Sequence, residues 1–266
     1  MLDTSLLDVW PLIVSGGFVV GFLVGMTGVG AGSLMTPFLI TQVGIVPTIA
    51  VGTDLLFASI TKASAILPHH NFSNVNWRMV AWLAAGSLPG SIGMLCLLYY
   101  VDPDVAAMGR FIKIALVGAL VISSLAIVVY PYIARARELA SNTDTVPVRR
   151  LPTLLLGLML GSIVTLTSVG AGAIGVVVLM LLYPTLMTRR LIGTDIVHAV
   201  PLTLVSGLGH LSMGNTNVSL LALLLAGSLP GIAIGTQLTR RLPDRLLRIV
   251  LAVILCFAAY QLSKKI

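Results

Sequence analysis

Thr27-Gly28-Val29-Gly30-Ala31-Gly32 recurs 140 positions later as Thr167-Ser168-Val169-Gly170-Ala171-Gly172, and both copies interrupt long apolar stretches. Two further matches keep the register. Gly52-Thr53-Asp54 pairs with Gly193-Thr194-Asp195, and Gly86-Ser87-Leu88-Pro89-Gly90 pairs with Gly227-Ser228-Leu229-Pro230-Gly231, both at an offset of 141. Three ordered motifs at nearly one spacing describe an internal duplication. Glycine-broken apolar segments at corresponding places in two halves point to a transport site.

The composition is that of a membrane protein. Mean hydropathy is +1.04, 57% of residues are hydrophobic and only 9% are charged, too few to clothe a soluble surface. The net charge of +7 sits in short breaks between apolar blocks. There, lysine and arginine mark the cytoplasmic side of a membrane and not a nucleic-acid face. Cys96 and Cys256 both fall in apolar segments and read as small core residues, not as a disulfide framework. Asp3 and Asp8 precede the first block without a basic residue, which is the wrong charge for a cleaved signal peptide.

Ten apolar blocks are predicted, five per half: about 10–26, 33–46, 49–68, 79–100 and 109–133, then 151–167, 173–186, 192–211, 218–238 and 246–262. Residues 1–133 thus make a first transmembrane repeat, 134–150 a cytoplasmic linker and 151–266 a second repeat. Alternating sides gathers Arg78, Arg135, Arg137, Arg149, Arg150, Arg189, Arg190, Arg240, Arg241, Arg245 and Arg248 on one face. Only Arg110, Lys113, Lys264 and Lys265 fall on the other. The arginine-rich face is therefore expected in the cytoplasm and both termini outside it. Five blocks per repeat force the halves into opposite orientations. The equivalent loops at Pro103-Asp104 and Pro243-Asp244 differ in charge accordingly: Asp102 neighbours the first, and Arg240, Arg241, Arg245 and Arg248 crowd the second. The expected fold is an all-α polytopic membrane protein of two inverted-topology repeats. The second block of each repeat, about 14 residues or roughly 21 Å of helix, is short for a core of about 30 Å. Glycine-broken, partly re-entrant helices fit that length, and full crossings remain open.

Freed backbone groups in a glycine run must be satisfied by protein, water or ligand. The helix that starts after each run offers unpaired N–H groups and a positive dipole end, which suits a small oxyanion. Candidate substrate-binding residues are Thr27, Gly28, Gly30, Gly32 and Ser33, with Thr167, Ser168, Gly170 and Gly172 in the second half. Close helix packing through small residues is the competing explanation. Intramembrane ionisable groups are few. Asp54 and Asp195 are repeat equivalents that suit either proton coupling or helix capping. His198 shares a helix face with Asp195. Lys62 can neutralise an anion or snorkel to the surface. His69 with His210, and Asn74 and Asn76 with Asn215 and Asn217, read as turn positions. No Cys/His cluster has metal spacing, and the sole glutamate is Glu138 in the linker. Neither an enzyme nor a cofactor is therefore expected.

In its paired glycine motifs, Gly-Thr-Asp stretches and Gly-Ser-Leu-Pro-Gly segments, the chain from about Gly17 to Arg248 resembles the TauE/SafE family of sulfite and organosulfonate exporters. Ala31 and Ala171 depart from that family's all-glycine run. The resemblance implies an inner-membrane permease for small sulfur-containing anions such as sulfite or sulfoacetate. Alternating access between the repeats follows as the mechanism, with proton or sodium coupling and a homo-oligomer both open. A permease for an amino acid or metal ion is a second reading, and a membrane-embedded enzyme or subunit a third.

Overall fold

Runs of leucine, valine, isoleucine and alanine without polar punctuation leave helix as the structure that satisfies every backbone group in lipid. The computed structural model describes residues 3–27, 32–66, 75–100, 105–138, 143, 146–238 and 244–266. Gly28, Gly30, His69, Asn74, Asp102, Pro103, Asp104, Asp144, Arg240, Arg241 and Pro243 lie outside the described residues.

The described residues form ten α-helices: α1 (Asp3–Thr27), α2 (Gly32–Phe38), α3 (Pro47–Ile66), α4 (Trp77–Tyr100), α5 (Val105–Glu138), α6 (Arg150–Thr167), α7 (Ala173–Leu182), α8 (Thr188–Ser212), α9 (Val218–Leu238) and α10 (Asp244–Ser263). They coincide with the ten expected blocks. α1 starts earlier than its block, and α5 runs on into the expected linker because Ala134-Arg135-Ala136-Arg137-Glu138 are all good helix formers. Seven helices (α1, α4, α5, α6, α8, α9 and α10) are long and apolar enough to cross a membrane. The 20-residue α3 has the length but carries Asp54 and Lys62. α7 has only 10 residues, about 15 Å or half a hydrocarbon core. α2 is 7 residues long and passes into a π-helical turn at Leu39–Val43, closed by left-handed Gly44.

Large apolar side chains such as Phe111, Leu125, Val253 and Phe257 cover the outside, while Thr53, Asp54, Thr194, Asp195 and His198 are fully buried. A lipid solvent explains this arrangement, since apolar surface costs nothing there and polar groups must find partners inside.

Contacts in one half recur in the other with partners exchanged. Three glycines of α1, Gly17, Gly21 and Gly25, face Leu224, Ser228 and Ile232 of α9 in that order. Gly86 and Gly90 of α4 face Leu154 and Leu158 of α6. The first helix of each half therefore runs parallel to the fourth helix of the other, backbone against backbone. At Gly161 a side chain would meet the Ser87 backbone, so only glycine permits this approach. α3 and α8, equivalent by sequence offset, run antiparallel: Gly52 faces His210 and Asn215, and Gly207 faces Leu56. At their crossing Ser59 Oγ donates to Val200 O at 3.4 Å. α5 and α10 are also antiparallel, with Ser124 Oγ donating to Ala252 O and Lys113 Nζ to Lys265 O.

Helix starts repeat the exchange. Asn76 caps α4 by accepting from Met79 N at 3.2 Å, and Asn217 caps α9 by accepting from Leu220 N at 2.9 Å. The Asn76 N–H donates to Thr194 Oγ1 at 3.0 Å, and the Asn217 N–H donates to Thr53 Oγ1 at 3.1 Å. The threonine of each Gly-Thr-Asp stretch thus holds the fourth helix of the opposite half. Arg137, counted in the sequence only as a surface charge, is buried. Its guanidinium donates to the carbonyls of Pro184 at 2.9 Å, Tyr183 at 2.8 Å and Leu186, clamping the turn after α7.

Candidate functional site

The second glycine motif is a break in regular helix. After α6 ends at Thr167, Ser168 is left-handed with φ 60°. Gly170 and Gly172 follow at φ 123° and 115°, values that a side chain would strain. Helix resumes at Ala173. Thr167 is not free for a ligand: its hydroxyl donates to Ile163 O at 2.7 Å and accepts from Val169 N at 3.2 Å. Ser168 is buried with an unpartnered hydroxyl. In the first motif Gly28, Gly30 and the side chain of Thr27 lie outside the described residues, Gly32 opens α2, and Ser33 is buried.

Sequence reasoning placed an incoming anion at the N-termini of the second helices, and the structure puts the protein's own carboxylates there. Asp54 Oδ2 accepts from Thr36 N at 3.1 Å and from the Thr36 hydroxyl, just past the first turn of α2. Asp195 lies against Gly175 in the first turn of α7 and faces the Gly172 N–H without reaching hydrogen-bond geometry. The aspartate of each third helix therefore sits at the start of the short helix before it. Asp54 is satisfied in part by donors there, and Asp195 faces the positive dipole end without a hydrogen bond.

Lys62 joins the two halves. It does not snorkel outward; its half-buried side chain turns inward, and Nζ donates to Ala171 O in the second glycine motif at 3.4 Å. From there the ammonium is within electrostatic reach of both Asp54 and Asp195. Ser168 stands beside Asp54. The fold thus brings Asp54, Lys62, Asp195, Ser168 and Gly172 into one polar cluster. Within it, Asp54 Oδ1, both Asp195 oxygens and Ser168 Oγ are buried without a protein hydrogen-bond partner.

His198 is not brought onto the Asp195 carboxylate. Its Nε2 pairs with Ser87 Oγ of α4 at 2.8 Å. Farther along the same interface Ser91, Thr165 and Ser206 close a hydroxyl triangle with sides of 2.8 and 2.9 Å, and His210 Nε2 pairs with Thr165 O at 3.0 Å. Two positions that complete the cluster escaped the sequence reading: Thr36, whose equivalent Val176 lacks a hydroxyl, and Gly175, which lies outside both glycine motifs. Neither carries a local signal. Among the described residues no group of three or more His, Cys, Asp or Glu could hold a metal ion.

Comparison with known proteins gives a consistent result. The family model described as "Sulfite exporter TauE/SafE" matches residues 13–262. A protein of Bacillus subtilis (strain 168), named "Probable membrane transporter protein YjnA", is 36% identical over 252 residues, 94% of this chain and 98% of its own length. A "Probable membrane transporter protein" of Methanocaldococcus jannaschii is 25% identical over 272 residues, 96% of this chain and 95% of its own. Another from Bacillus subtilis, YdhB, is 22% identical over 237 residues, covering 89% of this chain and 93% of its own. No solved structure matches the chain.

Proposed function

This chain belongs to the TauE/SafE sulfite exporter family, and we propose that it carries small sulfur-containing anions, such as sulfite, sulfoacetate or related organosulfonates, outward across the inner membrane. The observation that carries the proposal is Lys62, an intramembrane cation turned inward onto the second glycine motif between two buried aspartates. Intramembrane charges of this kind mark substrate pathways. Ser168 and the backbone of Gly170 and Gly172 complete the binding surface on one side, with Ser33 and Gly32 at the start of α2 on the other.

Charge counting links the anion to protons. With Asp54 and Asp195 both ionised, the cluster carries one more negative charge than Lys62 neutralises and repels an anion. Protonation of one or both carboxylates removes the excess and vacates the dipole ends for substrate oxygens. Anion binding is then linked to protonation of the cluster.

The exchange of contacts between halves, with α3 and α8 antiparallel at equivalent positions, supports reading the fold as inverted repeats. Alternating access would follow as one repeat-related bundle moves against the other. The arginine count supports a cytoplasmic arginine-rich face, with both termini outside.

The test is counterflow of labelled sulfite and sulfoacetate in proteoliposomes, with and without a pH gradient. Saturable exchange inhibited by other sulfonates and driven by the gradient is expected. Folded protein that exchanges no sulfur anion would sink the substrate assignment.

A further inference from the structure

A difference between equivalent places in the two halves bears on how substrate reaches the site. In the second half a cavity of about 80 Å³ lies between α5, α7, α8 and α10, lined by Tyr130, Gly172, Val176, Ile192, Asp195 and Arg248 among others. The polar side chains among its lining residues are those of Asp195, Tyr130 and Arg248, with Gly172 of the glycine motif beside them. Arg248 is held over the Tyr130 ring, 3.8 Å from its centroid, which fixes the charge while leaving its N–H edge available.

The register that matches Pro103-Asp104 with Pro243-Asp244 makes Met108 the equivalent of Arg248, and the Gly-Thr-Asp register makes Val51 and Leu55 the equivalents of Ile192 and Ile196. In the second half Ile192 and Ile196 line the cavity beside Arg248. In the first half Val51 and Leu55 are fully buried in an apolar cluster, and Met108 packs against that cluster. One half holds an opening with a cation, and the other holds a thioether in packed hydrocarbon.

The geometry points to Arg248 as the anion-recognising residue of a one-sided vestibule, which conducts a small oxyanion from the arginine-rich face to Asp195 and the second glycine motif. This inference rests on the proposed anion transport and adds to it a named recognition residue and a sidedness. Arginine's planar fork matches two oxygens of a sulfite or sulfonate group. Tyr130 is a positioning residue, acting through Arg248. Met108, the equivalent position toward the opposite face, carries no charge, so capture by this residue is one-sided.

The test is the KM for labelled sulfite, measured separately from each face in proteoliposomes of known orientation. Arg248→Gln should raise KM about tenfold from the arginine-rich face, the loss of one charge-assisted contact, with less than a twofold change in KM from the other face, while the ratio of maximal rate to KM, which equilibrium ties between the faces, changes by the same factor on both. Arg248→Lys keeps the charge without the fork and should fall between, about threefold, and it serves if the glutamine variant does not fold. Tyr130→Leu should raise KM on the same face, and Tyr130→Phe should restore it. Wild-type counterflow combined with a KM unchanged in the Arg248 variants, or raised equally from both faces, overturns the vestibule alone. Absence of any anion counterflow by wild-type protein overturns the transport reading and this inference with it.

Discussion

Gly175→Ala separates the position of the Asp195 carboxylate from the stability of the fold. A Cβ built on Gly175 overlaps Asp195 Oδ1, lies 3.2 Å from Asp195 Cγ and 3.4 Å from Leu160 Cδ1, and meets no other part of the protein at closer range. The leucine contact is ordinary, so the whole displacement falls on the carboxylate, which must retreat about 1 Å to recover van der Waals distance. Replacing glycine inside α7 favours the helix by roughly 0.5–1 kcal/mol. An off-rotamer aspartate costs about 0.5–1.5 kcal/mol. The two nearly cancel, so the melting temperature should stay within about 3 °C of wild type. Transport should fall far more, since a misplacement of about 1 Å at a working group can cost on the order of 100-fold. The assay is thermal unfolding of the purified protein beside sulfite counterflow in proteoliposomes. In an Asp195→Ala background the obstacle is gone, and Gly175→Ala should have no further effect on transport. A folded Gly175→Ala protein with wild-type counterflow would refute the role given to the carboxylate's position. Additive losses in the double variant would show that the damage travels by another route.

Three further outcomes follow from the contacts. Thr53→Val and Thr194→Val each strand a backbone N–H of the opposite half, and should destabilise by similar amounts, about 1–3 kcal/mol each; thermal melts giving a loss for one and none for the other would contradict the exchanged architecture. Arg137→Gln removes charged donors from the turn after α7 and should lower the melting temperature by several degrees at about 2–4 °C per kcal/mol, with Arg137→Lys recovering part of it. Lys62→Gln leaves the two buried aspartates without their cation and should abolish sulfite counterflow in protein that still elutes as a single folded species; retention of more than a tenth of wild-type exchange would remove Lys62 from the site.

Much of the fold was legible because its signals are local. Helix α9 begins and ends where the apolar run at 218–238 does, and α7 begins where its block does and ends four residues sooner. The duplication was also readable, since Gly-Thr-Asp and Gly-Ser-Leu-Pro-Gly are strings of adjacent residues. The use of those motifs was not. Gly86 and Gly90 serve helix packing, whereas Gly170 and Gly172 serve backbone conformation, and a glycine looks the same in either role. Thr36 and Gly175 had no motif to announce them, because each matters only through an aspartate 18 or 20 positions away in the chain.

The sequence by itself determined a polytopic α-helical membrane protein, where its spans fall and which loops carry its arginines. Hydropathy, helix length and loop charge act over a few residues and need no knowledge of neighbours in space. The tertiary structure decided that Lys62 faces inward, that Asp54 and Asp195 occupy the helix starts expected to receive an anion, and that Arg248 lines a cavity while Met108 is packed in apolar surroundings. Each of those is settled by which helix lies against which, and close packing in lipid lets one glycine or one carboxylate select its partner from a part of the chain far away in sequence.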